Sequence, residues 1–285
     1  MHKAQSRKPL REFADLHTHT DHSDGALKPS ELVARAKQAG ISILAITDHD
    51  SISGVQEGLS CGKAIGVEVL PGIEMSVSFE QRELHLLAYC FDPDNSGLKK
   101  CLSLFHDQRI QRAERIVKKL NGMNIPLTME HVFKQVTAGV VCRPHIADAM
   151  VSNKLASSYI EVFVKYIGDG CPAYEKKPEF RLETAVNIVA EAGGLTFLAH
   201  PGTMFTQKDI VNIIKTGIDG IETVHPSHTG PVQEFYRGIT NEYYLLECGG
   251  SDYHGGSRSD ERNFGLYGVS TQAVELMRQR LLRAK

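Results

Sequence analysis

The sequence predicts an α/β fold, a barrel of seven parallel strands with their connecting helices and a small helical insertion. Three observations lead there. Short apolar runs alternate with amphipathic stretches about seven times, the rhythm of a parallel sheet with helical crossovers. Nearly every apolar run ends in His, Asp or Glu, so polar ends collect on one face, as at the C-terminal face of a barrel. An open doubly wound sheet is the alternative, but it gathers such residues from only the few strands at its switch point. Finally, the rhythm breaks between about residues 92 and 178, where helical patterns follow one another without strands.

Taken in order, Phe13 to Leu16 is a short strand that runs into His17-Thr18-His19, with Ser23-Asp24-Gly25 beyond. Imidazoles at i and i+2 of an extended segment project from one side and reach one metal ion, and Asp24 can serve a neighbouring ion. Lys28 to Gly40 reads as a helix, with Pro29 and Ser30 at its start, Leu32, Val33 and Ala36 as its apolar stripe, and a closing glycine. Ile41 to Thr47 is a buried strand ending in Asp48-His49-Asp50. A helix near Val55 to Ile65 and a strand Val67 to Leu70 lead to Pro71-Gly72-Ile73-Glu74, and Glu83 to Cys90 is a strand with His85 inside it. Later, Ala185 to Ala192 is a helix closed by Gly193-Gly194, and Leu195 to Ala199 is a strand that runs into His200-Pro201-Gly202. Asp219 to Val224 carries Glu222, with His225 and His228 after it, and Tyr243 to Cys248 leads into Gly250-Ser251-Asp252-Tyr253-His254.

The break begins at the turn cluster Asp92 to Gly97. Helices follow near Leu98 to Asn121, Thr128 to Thr137, His145 to Leu155 and Ser158 to Tyr166, and Gly168 to Pro172 with Lys176-Lys177-Pro178 closes the excursion. The chain thus divides into a barrel, residues 12–97 and 179–285, and an insertion, 98–178, expected to fold over the barrel mouth. Within Gln108 to Asn121, the residues Ile110, Ala113, Ile116, Val117 and Leu120 form one stripe. Arg109 falls inside it and Arg112 at its edge. A guanidinium in an apolar arc needs a buried anion or a snorkelling route, so substrate and structural roles are both open for these two arginines.

A net charge of −2 argues against a surface that coats nucleic acid, and no stable DNA complex is expected. No apolar run approaches a membrane span, and Met1 to Arg11 lacks the apolar centre of a signal peptide; the expected setting is cytoplasmic. Six scattered cysteines suggest reduced thiols rather than a zinc ribbon or disulfide framework.

Histidine is the informative residue. His2, His22, His106 and His131 follow no strand and read as structural. His17, His19, Asp24, His49, Glu74, His85, His200, Asp252 and His254 all lie at or just after strands. These nine donors exceed what one ion takes, so two or three divalent ions sharing a carboxylate are expected. Imidazole mixed with carboxylate, without thiolate, fits manganese, iron or zinc. Asp15, Asp48 and Asp50 either orient ligand imidazoles or stand as solvated loop carboxylates.

Taken together, His17-Thr18-His19 with Ser23-Asp24-Gly25, Thr47-Asp48-His49, Gly72-Ile73-Glu74, His85, Ala199-His200-Pro201 and Gly250-Ser251-Asp252-Tyr253-His254 resemble the motif set of the polymerase and histidinol phosphatase (PHP) domain family. The resemblance implies a distorted seven-stranded (β/α)7 barrel with a trinuclear metal centre. It is closest to a stand-alone branch with a helical insertion, whose members include a nucleoside 3′,5′-bisphosphate phosphatase and a 5′-to-3′ exoribonuclease. It implies that His17, His19, Glu74 and Asp252 hold one ion, that Glu74 bridges to a second with His85 and His200, and that Asp24, His49 and His254 hold the third. It further implies that Arg143-Pro144-His145 and His228 face substrate, with Arg112 nearby.

The chemistry implied is hydrolysis of a phosphate ester. Water between two dications loses a proton near neutral pH and becomes the bridging hydroxide nucleophile. Arg143 and Arg112 would neutralise the transition state, and His228 would protonate the leaving alkoxide or hold phosphate. The expected function is a metal-dependent phosphoesterase acting on phosphate monoesters of nucleotides, such as a nucleoside 3′,5′-bisphosphate or a 5′-nucleotide, or on the 5′ end of short RNA. Its alternatives are a histidinol-phosphate-type phosphatase, a metal-dependent C–N hydrolase, and a non-enzymatic module in a polymerase assembly. Basic residues near the mouth argue against the C–N hydrolase, and the intact ligand set argues against the module. Tyr174, Phe205 and Tyr253 are the candidates for stacking on a base.

Overall fold

The computed structural model describes residues 12–283; His2 and the segment Met1 to Arg11 lie outside the described residues. In chain order the elements are β1 (Phe13–Asp15), α1 (Pro29–Ala39), β2 (Ile43–Ile46), α2 (Val55–Ile65), β3 (Glu68–Phe79), β4 (Arg82–Tyr89) and α3 (Ser96–Gly122). Then come α4 (Met129–Phe133), α5 (Arg143–Ser152), α6 (Tyr159–Val162), α7 (Leu182–Glu191), β5 (Leu195–Leu198) and α8 (Gln207–Ile214). The chain finishes with β6 (Gly220–Val224), α9 (Gly230–Glu242), β7 (Leu246–Gly249), β8 (Val269–Ser270) and α10 (Thr271–Arg283).

The strands form one sheet in the order β7-β6-β5-β4-β3-β2-β1-β8. Its ends meet where Leu16 N–H donates to the Gly249 carbonyl at 3.1 Å and Asp252 N–H to the His17 carbonyl at 2.9 Å, so the sheet is nearly closed into a barrel. The strand count exceeds the seven expected, because β8 adds two residues antiparallel to the start of β1. A second correction concerns direction. β4 is antiparallel to both β3 and β5, because Glu80 and Gln81 turn the chain straight back with φ of 46° and 65°. Positive φ at both central positions is the two-residue hairpin geometry, but neither residue advertises it as Asn-Gly would.

That reversal matters for the site. β3 runs to Phe79, so Glu74 lies in mid-strand instead of beyond its end, and Ser76 pairs with His85. Because β4 runs backwards, its early residue His85 sits at the same barrel end as the residues that follow the parallel strands.

Side chains alternate across each strand. Leu16, Ala45, Leu87, Tyr89, Phe197 and Cys248 fill the interior together with Val274 and Met277 of α10. Leu86, Ala88, Leu198 and Ile221 pack outward against α7, α8 and α9, and Leu44, Ile46 and Val69 against α1 and α2. Tyr89 O–H donates to the Leu16 carbonyl at 2.8 Å across the interior, and its ring meets Phe197 edge-on. α1 ends where expected, with Gly40 in the left-handed region at φ 77°.

α8 was not expected; Thr206 and Asp209 close a capping box at its start. The helix expected over Thr128 to Thr137 is only α4, and that over Ser158 to Tyr166 is α6 continued by a π-helical turn, Phe163–Ile167. The early part of α3, with Leu98, Leu102 and Phe105, joins the barrel's outer core, while Ala113, Ile116, Val117 and Leu120 join a separate core with Val132, Ile146, Met150 and Val162. No helix among the described residues is long and apolar enough to cross a membrane, and all six cysteines are unpaired.

Removing the ring at the barrel's centre tests the interior packing. Phe197→Ala is expected to lower stability by about 3–5 kcal/mol, read as a lower urea midpoint with an unchanged slope.

Candidate metal centre

One end of the barrel gathers all nine expected donors, Glu74 and His85 from within β3 and β4 and the others from segments that follow strands. Glu74 is buried, with Oε2 at 3.4 Å from His17 Nε2, 3.3 Å from His19 Nε2 and 2.9 Å from His49 Nδ1. Its Oε1 lies 2.8 Å from His85 Nδ1 and 2.8 Å from His200 Nε2. Asp252 Oδ1 is 3.2 Å from both His17 Nε2 and His19 Nε2. To one side, Asp24 lies 3.5 Å from His254 Nε2 and 4.0 Å from both His19 and His49. These nine donors make three overlapping groups: His17, His19, Glu74 and Asp252; His19, Asp24, His49 and His254; and His49, Glu74 and His85, beside His200; a fourth joins His17 to Glu222 and His225.

The donor atoms fit metal ions by one particular observation. His17 Nε2, both ring nitrogens of His19, His49 Nδ1, His254 Nε2, Glu74 Oε2 and Asp24 Oδ1 are buried without a hydrogen-bond partner, despite carboxylates nearby. Their lone pairs converge on shared space, a costly arrangement unless a cation occupies it.

The electrostatics agree. Burial disfavours the charged forms of Asp24, Glu74 and Asp252, yet neighbouring cationic groups hold all three carboxyls well below their ordinary range: Arg258 and imidazoles for Asp24, imidazoles for the others. Burial also opposes charge on His19, but Asp252 and Glu74 outweigh it and raise the imidazole to about 9. His85, where burial prevails, falls to about 4. The carboxylates and His19 thus favour positive charge between them, which a dication supplies as it displaces protons.

Local structure fixes these side chains. A Cβ on Gly250 would lie 2.3 Å from His17 N, and one on Gly25 2.4 Å from the His19 carbonyl oxygen, so both sites admit only glycine. His200 and Asp252 hold φ of 26° and 50°, strain of the kind that collects at functional sites. Asp48 accepts from Thr20 N, Thr20 Oγ1 and Ser23 Oγ, and Asp15 from the backbone of His17 and Ser251.

Comparison with known proteins gives this arrangement a lineage. The PHP domain matches residues 15–169, more than half of the chain. The chain belongs to the PHP family. It is 32% identical over 245 residues to a 5′-3′ exoribonuclease of Haemophilus influenzae, covering 84% of this chain and 89% of the relative. It is 29% identical over 246 residues to a 3′,5′-nucleoside bisphosphate phosphatase of Chromobacterium violaceum, covering 84% and 86%. A Bifidobacterium adolescentis structure described as a metal-dependent phosphoesterase superposes with a TM-score of 0.88 at 28% identity, over 95% of this chain and 96% of its own.

In this PHP chain the expected substrate residues divide. Arg109 found its buried anion: it donates to Asp50 Oδ2 from Nε at 2.9 Å and Nη2 at 2.6 Å, and to the Val141 carbonyl. Arg112 donates from Nε to the Glu175 carbonyl at 2.8 Å, while its Nη2 is buried without a partner; burial, with Arg143 nearby, lowers it to about 10. Arg143 pairs with the exposed Asp169 at 2.7 Å. His145 Nδ1 accepts from Cys142 N at 3.0 Å.

His228 corrects the sequence reading. Its Nδ1–H donates to the Thr223 carbonyl and its Nε2 accepts from Gly202 N–H, both at 3.0 Å, so neither nitrogen is placed to protonate a leaving group. Tyr253 is buried and donates to Glu261 at 2.9 Å, which removes it from the stacking candidates. His22 bonds to Ser53, His131 caps α4, and His106 lies beside Asp107, as structural residues do.

Four residues were missed. Glu222 Oε1 accepts from His17 Nδ1 at 2.9 Å and Oε2 from His200 N at 2.6 Å, the support expected of Asp15, Asp48 or Asp50, none of which holds an imidazole. His225 Nε2 lies 3.3 Å from Asp252. Both follow the same strand-end rule that found the other ligands. Arg258, 2.9 Å from Asp24, closes a three-residue 3₁₀ turn, Gly256–Arg258, too short to show a periodic pattern. Lys177 Nζ donates to Ser76 Oγ at 2.9 Å and lies 3.5 Å from His85 Nε2; burial, then Arg109, lowers its pKa to about 8.

The Arg109–Asp50 pair offers a test. Arg109→Met leaves the buried Asp50 carboxylate without its guanidinium and is expected to cost about 3–5 kcal/mol, read by urea unfolding. Adding Asp50→Asn removes the orphaned charge and should restore part of the loss, a coupling that independent sites would not show.

Proposed function

We propose that this protein is a metal-dependent phosphoesterase that hydrolyses phosphate monoesters of nucleotides, or the 5′ end of short RNA. The observation that carries the reading is the set of unshared buried donors around Glu74, beside Arg112, Arg143 and Lys177. The names of the relatives support nucleotide and RNA substrates over histidinol phosphate or an amide.

In this reading His17, His19, Asp24, His49, Glu74, His85, His200, Asp252 and His254 hold two to three divalent ions, manganese, iron or zinc. Such ions acidify water and neutralise phosphoryl oxygens. The chain's own contribution is orientation and charge. Glu222 fixes the His17 tautomer and aims Nε2 inward. Arg112 presents a buried guanidinium nitrogen, and Arg143 can exchange its exposed Asp169 partner for a phosphate oxygen, since exposed pairs are weak. Lys177 stands beside His85 and adds charge against the transition state. Residues 98–178 act as the cover that brings these cations to the barrel mouth. Six unpaired cysteines suit a cytoplasmic setting.

Phosphate release tests the proposal. Manganese-loaded protein is expected to release phosphate from adenosine 3′,5′-bisphosphate or a short 5′-phosphorylated RNA, with chelation abolishing turnover and Asp24→Ala lowering it at least about 100-fold. Metal-loaded protein that releases nothing from either of these, from AMP or from histidinol phosphate would overturn it.

A further inference from the structure

One cleft at the barrel mouth has no part in the metal centre. It has a volume of about 340 Å³, and Gln81, Arg82, Glu83, Tyr174, Lys176 and Phe205 are among its lining residues. We propose that it receives the planar base of a nucleotide whose phosphate lies at the metal centre, an inference that rests on the phosphoesterase reading.

Three features carry it. The first is position. Glu83 and His85 lie two residues apart on β4 and share a face, which puts the cleft roughly 7 Å along the strand from a donor of the metal centre, the order of span a ribose bridges. The second is the walls. Tyr174 O–H donates to Glu83 Oε1 at 3.2 Å, and Lys177 N–H donates to the same oxygen at 3.2 Å; these bonds fix the ring where the cation-bearing segment crosses the hairpin. Elsewhere on the cleft's lining, the Arg82 guanidinium lies over the Phe205 ring at 5.3 Å and is held by Asp209 at 2.9 Å. An aromatic ring and a flat guanidinium are the two surfaces on which bases stack.

The third is charge. Arg112 and Arg143 stand 6.0 and 5.8 Å from the centre of the Tyr174 ring, so the residues offered to phosphate adjoin the wall offered to the base. A nucleotide matches this order of cation, span and ring; a sugar phosphate or an amino-alcohol phosphate leaves the cleft to water. Stacking is tolerant of base identity, and the polar rim of Gln81 and Lys176 adds hydrogen bonds to the base edge.

The test measures binding, apart from turnover. Phosphonate analogues of AMP and of ribose 5-phosphate, with CH2 in place of the ester oxygen, are titrated calorimetrically into the manganese-loaded full-length protein. Wild type should favour the nucleotide analogue about ten-fold or more. Tyr174→Ala should bring the ratio within about two-fold, and Arg82→Ala, at an exposed side chain, should also lower it. Tyr174→Phe, which keeps the ring and loses the bond to Glu83, should preserve it. Equal affinities in wild type, or a ratio that Tyr174→Ala leaves intact, would overturn the assignment. Release from 4-nitrophenyl phosphate separates the two readings. Release with a ratio near one discards the cleft alone, whereas a preserved ratio without release discards the phosphoesterase and keeps a nucleotide site.

Discussion

Glu74 sets the terms for the barrel. One buried carboxylate offers its two oxygens to five imidazoles, those of His17, His19 and His49 at Oε2 and those of His85 and His200 at Oε1. A carboxylate so far from water is tolerable only beside positive charge, and five rings within 3.4 Å can share that charge only if something binds their lone pairs together. The rings come from different places in the sheet: after β1, after β2, from within β4 and after β5. The extension of β3 past the barrel rim, which carries Glu74 into mid-strand, and the reversal of β4, which turns His85 to the same end, are what let one side chain meet them all.

The support around this carboxylate is also anionic, and it acts chiefly on backbone. Asp15 and Asp48 accept main-chain N–H groups from the segment that carries His17 and His19, and Asp50 accepts one from Ser76 in β3. Only Glu222 reaches a ligand ring, and it does so from β6, across the barrel. Asp48 and Asp50, each adjacent in sequence to His49, point away from the side its ring takes, so they can hold the loop but not the ring. A carboxylate on another strand, here Glu222 of β6, can. Its other oxygen, Oε2, accepts from the backbone N–H of His200, whose positive φ is thereby paired with a fixed partner.

The sequence disclosed what repeats and hid what does not. Strand runs, helix stripes and the residues at strand ends follow periods of two and 3.6, and the positions of His17, His49, His200 and Asp252 could be read from them; the six motifs in order carried the family. The hairpin at Glu80 and Gln81 was invisible because its turn geometry is imposed by pairing rather than by local residue preference. Arg109 was open between two roles because the stripe showed it inward without showing that Asp50, 59 residues away, meets it. Lys177 lies in an irregular segment and Arg258 in a single 3₁₀ turn, where only tertiary position gives a charge its meaning. His228 looked available from its strand-end location, and the structure binds both its nitrogens to main chain.

These two kinds of residue answer to different constraints. The donors around Glu74 come from the sheet, where register fixes each ring to a fraction of an ångström and leaves little room for variation. The cations come from α3, from the start of α5 and from the segment before α7, none of them bound by sheet register. Arg109 of α3 and Arg258 of the barrel are already paired with Asp50 and Asp24, so these two arginines add little net charge toward an anion. Arg112 with its unpartnered nitrogen and Lys177 at Ser76 bring that charge from outside the strands. A change in the helical segment can therefore alter which anion is held without moving a single donor of the metal centre, and that separation allows one barrel to serve phosphates carried on different groups.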